Sequence, residues 1–404
     1  MFKLLKSLGP GLLFAGAAIG VSHLVQSTKA GADFGFGLLW ALVLIHLFKY
    51  PFFQFGPRYA VATGESLLEG YQKLGKGVLI TYFILSLATM FTIQAAVTIV
   101  TAGLAANLFG ISNNLVVWSI IITCVAFLIL TIGKYRLLDQ LMKYIILILT
   151  ITTIIAVAIA FEKNSSPINL TQVIPKGTVE IGFLIAFLGW MPGPLDISIW
   201  QSLWTIEKQK EIKLSPKQVK FDFNVGYFST LFIGACFIAL GSFVMYNSGE
   251  SFENGAVKFS QQLISMYTKN LGTSTYFIIV FAAFTTMFST TITTLDASPR
   301  AMTKTINLLN NRNFKNGYWW WISILAVGTL CILSFCISEM GLLIQIATVL
   351  SFLSAPFYAI INLVLLCSKH TPRTAHPSYL LKIVSYLGIL FLIGFSTWYL
   401  YALY

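Results

Sequence analysis

The sequence predicts an all-α integral membrane protein, and three observations predict it. Of its 404 residues, 57% are hydrophobic and only 10% are charged, with a mean hydropathy of +0.80. The apolar residues gather in runs of about 20, the length that crosses a hydrocarbon core about 30 Å thick. The polar stretches between runs are short, which leaves no room for a separate soluble domain.

The opening MFKLLKSLGPGLLFAGAAIG is basic and then apolar, as a secretory signal is. It continues into a full-length run, so it reads as the first membrane helix. The spans centre on roughly 9–28, 36–56, 78–108, 115–133, 140–161 and 180–204, and then roughly on 222–246, 273–296, 318–337, 341–367 and 379–403. That makes about 11 transmembrane helices in one domain covering residues 1–404.

The formal charge of +12 is explained by where the cations fall. With a cytoplasmic N-terminus, Lys3, Lys6, Arg58, Lys73, Lys76, the Lys208–Lys220 cluster, Arg300, Lys304, Lys369, Arg373 and Lys382 all face the interior. The opposite side holds only Lys29, Lys163, Lys176, Lys258 and Lys269. This is the positive-inside bias of a multi-pass protein of the plasma (cytoplasmic) membrane, and an odd number of spans puts the C-terminus outside. The partner implied is the lipid bilayer. No basic soluble domain exists to bind nucleic acid. The segment IEKQKEIKLSPKQVKFDF is expected to be an interior loop near anionic head groups. Cys124, Cys236, Cys331, Cys336 and Cys367 lie in apolar segments without metal-type spacing and read as small core residues. No cofactor is expected, and no His/Asp/Glu cluster or Ser–base arrangement inside the spans suggests an enzyme.

Two spans are interrupted. LFAGAAIGVSHLVQSTKAG carries Gly16, Gly20, Ser22 and His23 near its middle, and AFLGWMPGPLDISIW carries Gly189, Pro192, Gly193 and Pro194. Proline donates no backbone hydrogen bond, and a freed carbonyl in hydrocarbon is unfavourable by several kcal/mol unless something pairs with it. Broken helices at membrane depth are therefore tolerated where they line a polar cavity. A lone kink would serve packing, but two kinks at matching positions of two halves point to a central solute site. Spans 1 and 6 are five apart. That spacing suits two inverted five-helix repeats, about 9–161 and about 180–367, plus an extra helix at about 379–403. The expected substrate site comprises Gly20, Val21, Ser22 and His23 from the first break, with Leu188, Trp190, Met191, Pro192 and Gly193 from the second.

The segments GPGLLFAGAAIG…QSTKAGADFG and GPRYAVATGESLLEGY resemble the start of the Nramp family of divalent-metal transporters. MFSTTITTLDAS resembles that family's eighth helix, and ATVLSFLSAPFYAIINLVLL its tenth. The resemblance covers nearly the whole chain in order. It implies a LeuT-type fold with helices 1 and 6 discontinuous, alternating access, and a proton-driven import of manganese or iron. The family's helix 1 Asp-Pro-Gly-Asn, which binds metal through its Asp and Asn, falls on Gly20, Val21, Ser22 and His23. Its helix 6 Met-Pro-His falls on Met191, Pro192 and Gly193. The helix 3 Asp and Glu of its proton route fall on Gln94 and Val97, and the helix 10 glutamine falls on about Ala347.

These replacements change the chemistry. A hard dication needs a carboxylate to offset its lost water, whereas a thioether and an imidazole suit softer ions, which makes His23 and Met191 the candidate metal ligands. Asp196 lies in the first turn of the second half-helix. There it either complements the helix dipole or takes part in binding a cation or moving a proton. Lys49 is roughly 13 Å inside Arg58 at 1.5 Å per residue, so it needs a partner. The expected arrangements are a buried pair with Asp296 of the eighth span or a positive charge standing in for a coupling cation. Lys49, Gln94 and Asp296 are thus the coupling or charge-compensation candidates. Three functions follow: a metal-ion transporter, the default that the resemblance implies; a carrier of a small organic or monovalent solute with Trp190, Trp200 and Phe187 in its site; or a non-transporting receptor or scaffold. The missing carboxylates predict weak or absent proton coupling by the family's usual route.

Overall fold

Pro10 can begin a helix because the amide it lacks would have no intrahelical partner there. Asp222 supplies acceptors to the neighbouring free amides, Gly9 N at 2.9 Å and Gly11 N at 2.7 Å. The computed structural model describes residues 8–164, 167–246, 256–272, 276–336 and 340–402; Lys3 and Lys6 lie outside them. The described residues are mostly helical, with no strand among them.

Helix α1 (Pro10–Ala18) is followed, after a break, by a π-helical turn at Ser22–Ser27 and by α2 (Thr28–Phe34). Next come α3 (Leu39–Thr63), α4 (Leu67–Leu74), α5 (Lys76–Phe109) and α6 (Leu115–Lys163). The second half begins with α7 (Thr178–Trp190), α8 (Ile197–Glu211) and α9 (Pro216–Val244). It continues through α10 (Ala256–Leu271), α11 (Tyr276–Asn310), α12 (Gly317–Cys336), α13 (Met340–Cys367) and α14 (Tyr379–Ala402).

Eight helical stretches among the described residues are long and apolar enough to cross a membrane, two of them within α6, at Leu115–Ile132 and Asp139–Lys163. The first span is a pair bent by 51° at its break. The split sixth span, α7 with α8, and the 35-residue α11 match the two remaining runs read from the sequence.

α9 lies against both halves of the first span, backbone to backbone. A Cβ added at Gly226 would sit 1.9 Å from the Gly11 carbonyl oxygen, and one at Gly241 would sit 2.1 Å from the Thr28 carbonyl oxygen. Only glycine permits this approach, which is how membrane helices gain van der Waals contact without a hydrophobic driving force. Phe14 fills the space beside it, stacked on Tyr227 and edge-on to Phe53.

Three local features depart from the sequence reading. The stretch expected to be an interior loop is mostly helix: α8 runs to Glu211 and α9 begins at Pro216, with Ser215 and Gln218 closing a capping box between them. Helix α4 had no counterpart among the expected spans because it is short and amphipathic. Its start is nonetheless written in Ser66 and Glu69, whose Oε2 accepts from Ser66 N at 2.7 Å. Burial alone would raise the Glu69 carboxyl, but hydrogen bonds from Lys304 and Ser66 outweigh it and hold Glu69 below the ordinary value. Helix α10, also amphipathic, was missed for the same reason.

Candidate functional site

At the first break, Ile19 and Gly20 leave the helical path and part of the carbonyl ladder loses its amides. Side chains replace those amides. Ser22 Oγ reaches Ala18 O at 2.8 Å, and Thr290 Oγ1 of α11 lies 3.1 Å from Gly16 O and 3.3 Å from Ile19 O. Thr290 is so close that a Cβ on Gly20 would meet its Oγ1 at 2.8 Å. Thr290→Val keeps the shape and removes the donor. Its expected effect in a thermal or chemical melt is a loss of about 1–3 kcal/mol, with Thr290→Ser near neutral. A valine variant as stable as wild type would refute that role.

At the second break, Met191 is extended, its peptide to Pro192 is cis, and regular helix resumes only at Ile197. The last turn of α7 points its carbonyls at Lys49, which is 0% exposed on α3. Lys49 Nζ donates to Leu188 O at 2.9 Å, Gly189 O at 2.7 Å and Met191 O at 2.9 Å, with Gly193 O at 3.3 Å. The expected pair with Asp296 does not form. Asp296 accepts instead from Arg300 Nε at 2.7 Å and Tyr318 OH at 2.8 Å, since both lie beside it at the end of α11 and the start of α12.

Between the two breaks is a cavity of about 20 Å³, room for about one water. Gly20, Val21, Ser22, Trp190 and Gly193, five of the residues named for the site from the sequence, line it. So do Trp200, Thr290 and Thr294, with Ile93, Val97 and Ile197 supplying apolar wall. The Trp190 indole is pinned by a hydrogen bond from Nε1 to Ser351 Oγ at 3.0 Å.

The other expected residues lie elsewhere. His23 is turned toward α9: Nε2 faces Thr230 O at 3.1 Å, while Nδ1 faces Ser22 Oγ at 2.8 Å and Ala18 O at 3.1 Å. Both ring nitrogens are thus engaged. Met191 is fully buried, and the cavity is not lined by it, nor by Leu188, Pro192 or Ala347. The structure therefore does not bring His23 and Met191 together as a ligand pair, and no cluster of three His, Cys, Asp or Glu residues forms among the described residues. Asp196 occupies the N-cap position of α8, yet its side chain makes no capping hydrogen bond and Oδ1 has no protein partner. Gln94 joins α5 to α11, accepting from Thr294 Oγ1 at 2.6 Å and donating to Thr291 O at 3.2 Å.

Sequence reasoning singled out Lys49 but not its partners, and it did not place Thr290 at the first break. Freed carbonyls attract the nearest buried donors, and that rule was the available signal for both Lys49 and Thr290.

Comparison with known proteins places this geometry. A protein of Pasteurella multocida is 35% identical over 397 residues, 96% of this chain and 90% of that one. A divalent metal cation transporter of Staphylococcus aureus is 26% identical over 259 residues, 61% of this chain and 57% of that protein. Among solved structures, a manganese transporter of Eremococcus coleocola superposes with a TM-score of 0.72 at 13% identity, covering 97% of this chain and 85% of that one. Mhp1, a nucleobase-cation-symport-1 family transporter, superposes at 0.62 with 14% identity, covering 98% and 92%. At those identities the likeness is one of fold, the LeuT-type arrangement shared by both. The model of the natural resistance-associated macrophage protein-like family matches residues 11–402. With its two broken spans meeting at a central cavity, the chain belongs to the Nramp family of membrane transporters.

Proposed function

We propose that this chain is an alternating-access secondary transporter whose cargo is a small polar solute bearing at most one positive charge, not a hard divalent metal. One observation carries the reading: the cavity between the two breaks is lined by hydroxyls, main chain, indoles and aliphatic groups, with no carboxylate, imidazole or thioether. A dication stripped of water there would meet no anionic ligand, and the Lys49 ammonium already engages the carbonyls of the second break. Hydroxyls and indoles suit a neutral or singly charged solute, which hydrogen bonds or cation–π contact would hold. The pairing of Gln94 with Thr294 and Thr291 likewise supports a carrier without the proton route that the resemblance assigns to that position.

Proteoliposomes loaded with a metal-sensing dye test the reading. Mn²⁺, Zn²⁺ and Cd²⁺ added outside are expected to give traces no steeper than protein-free vesicles, with or without an inward proton gradient. Thermal-shift screening of amino acids and amines is expected to find a stabilising solute whose effect is lost in Trp190→Ala. Saturable entry of a divalent ion that is abolished by Met191→Ala and His23→Ala would return metal as the cargo.

A further inference from the structure

We infer that the unwound segment of the sixth span is a monovalent-cation site that carries its own occupant, the Lys49 ammonium. Leu188, Gly189, Met191 and Gly193 direct four carbonyl oxygens at one point, 2.7–3.3 Å from Nζ. Four acceptors exceed the three protons of an ammonium, so the arrangement is a cup of oxygens around a charge more than a set of matched hydrogen bonds. Such carbonyl cups are how proteins replace the hydration shell of an alkali cation, and an ammonium carries the same charge at similar size. Two of the four oxygens belong to the last turn of α7, where the helix dipole already concentrates negative potential. The cation comes from α3, a different helix, so the side chain ties α3 to the broken segment as a bound ion would.

None of the ion pairs among the described residues includes Lys49, so its direct counter-charge is carbonyl oxygen. The site class assigned is therefore a small monovalent cation, primary ammonium or potassium-like, once the lysine is removed. The wild-type segment needs no dissolved ion.

Melting of the purified full-length carrier without cargo tests this, so it stands or falls apart from the transport reading above. The wild-type midpoint is expected to be equal in potassium, methylammonium and choline chlorides at one ionic strength. Lys49→Ala is expected to melt lower by roughly 5 °C or more in choline. Methylammonium or potassium should recover at least about half of that loss, saturably, because each binds the folded cup and not the unfolded chain. Choline cannot, since its nitrogen carries no proton and is too bulky. Lys49→Met refills the space with apolar atoms and should show the loss without the rescue. The inference is overturned if Lys49→Ala melts like wild type in choline, if all salts recover it equally, or if Lys49→Met melts like wild type. Should Lys49→Ala be recovered only as aggregate in choline, the readout is the monodisperse fraction after extraction in methylammonium. A gain there supports the site, and no gain overturns it.

Discussion

Gly226→Val is expected to yield no folded carrier. The Cβ of any residue at this position would lie 1.9 Å from the Gly11 carbonyl oxygen and 2.6 Å from its carbon, distances that only a shift of one helix can relieve. Neither helix is free to shift. Gly11 N is held by Asp222 Oδ2 one turn away on the same α9, and a second close approach at Gly31 and Gly241 fixes the other half of the first span. Overpacking of 1–3 kcal/mol is typical where side chains can yield; here the obstruction is main chain, so the penalty is expected to be larger. The measurement is the monodisperse fraction on size-exclusion chromatography. Gly394→Val on α14, where nothing lies within 4 Å of the added Cβ, serves as the control that should behave like wild type. A Gly226→Val profile matching that control would show that α9 and α1 are not held as described.

Asp222→Ala should be the next most damaging change. Its carboxylate receives both Gly9 N and Gly11 N in a buried setting, and the Pro10 start of α1 has no other side-chain cap. Removal leaves two buried donors unmatched at about 1–3 kcal/mol each. The melting midpoint is expected to fall by about 10 °C. Asp222→Asn, which retains one acceptor, should fall roughly half as far. Equal midpoints for Asp222→Ala and wild type would mean that water or another group takes over the amides.

Much of the fold was legible because bilayer chemistry writes itself into long apolar runs. The break of the sixth span was equally plain, since two prolines and two glycines between Leu188 and Leu195 cannot continue a helix. What the sequence did not reveal was where the freed carbonyls turn. They were expected to face a solute; at the second break they face Lys49, a residue 139 positions from Leu188. Hydropathy reports how unfavourable it is to bury a lysine but not which carbonyls compensate for it. Asp296 looked like its partner because it was a buried acid of opposite sign, yet Arg300, one helical turn away, takes it. His23 was placed at the correct break. However, its ring turns to the Thr230 carbonyl of α9, 207 positions away, which no local pattern records. The short amphipathic helices escaped notice because a hydropathy reading looks for length, although the Ser66–Glu69 box marks one of them.

The contact between Gly20 and Thr290 bears on how such a carrier can change its cargo. The resemblance assigns a metal-binding aspartate to position 20, but here the threonine hydroxyl fills that space while it mends the break. Restoring the acid alone drives its Cβ to 2.8 Å from Thr290 Oγ1, and removing the hydroxyl at 290 takes away the one proton that the Gly16 and Ile19 carbonyls share. An acid at position 20 and a change at position 290 are therefore expected to act on each other rather than add, because the two sites touch. An engineered path toward the acid must therefore make room at residue 290 and also bring a new donor to the first break.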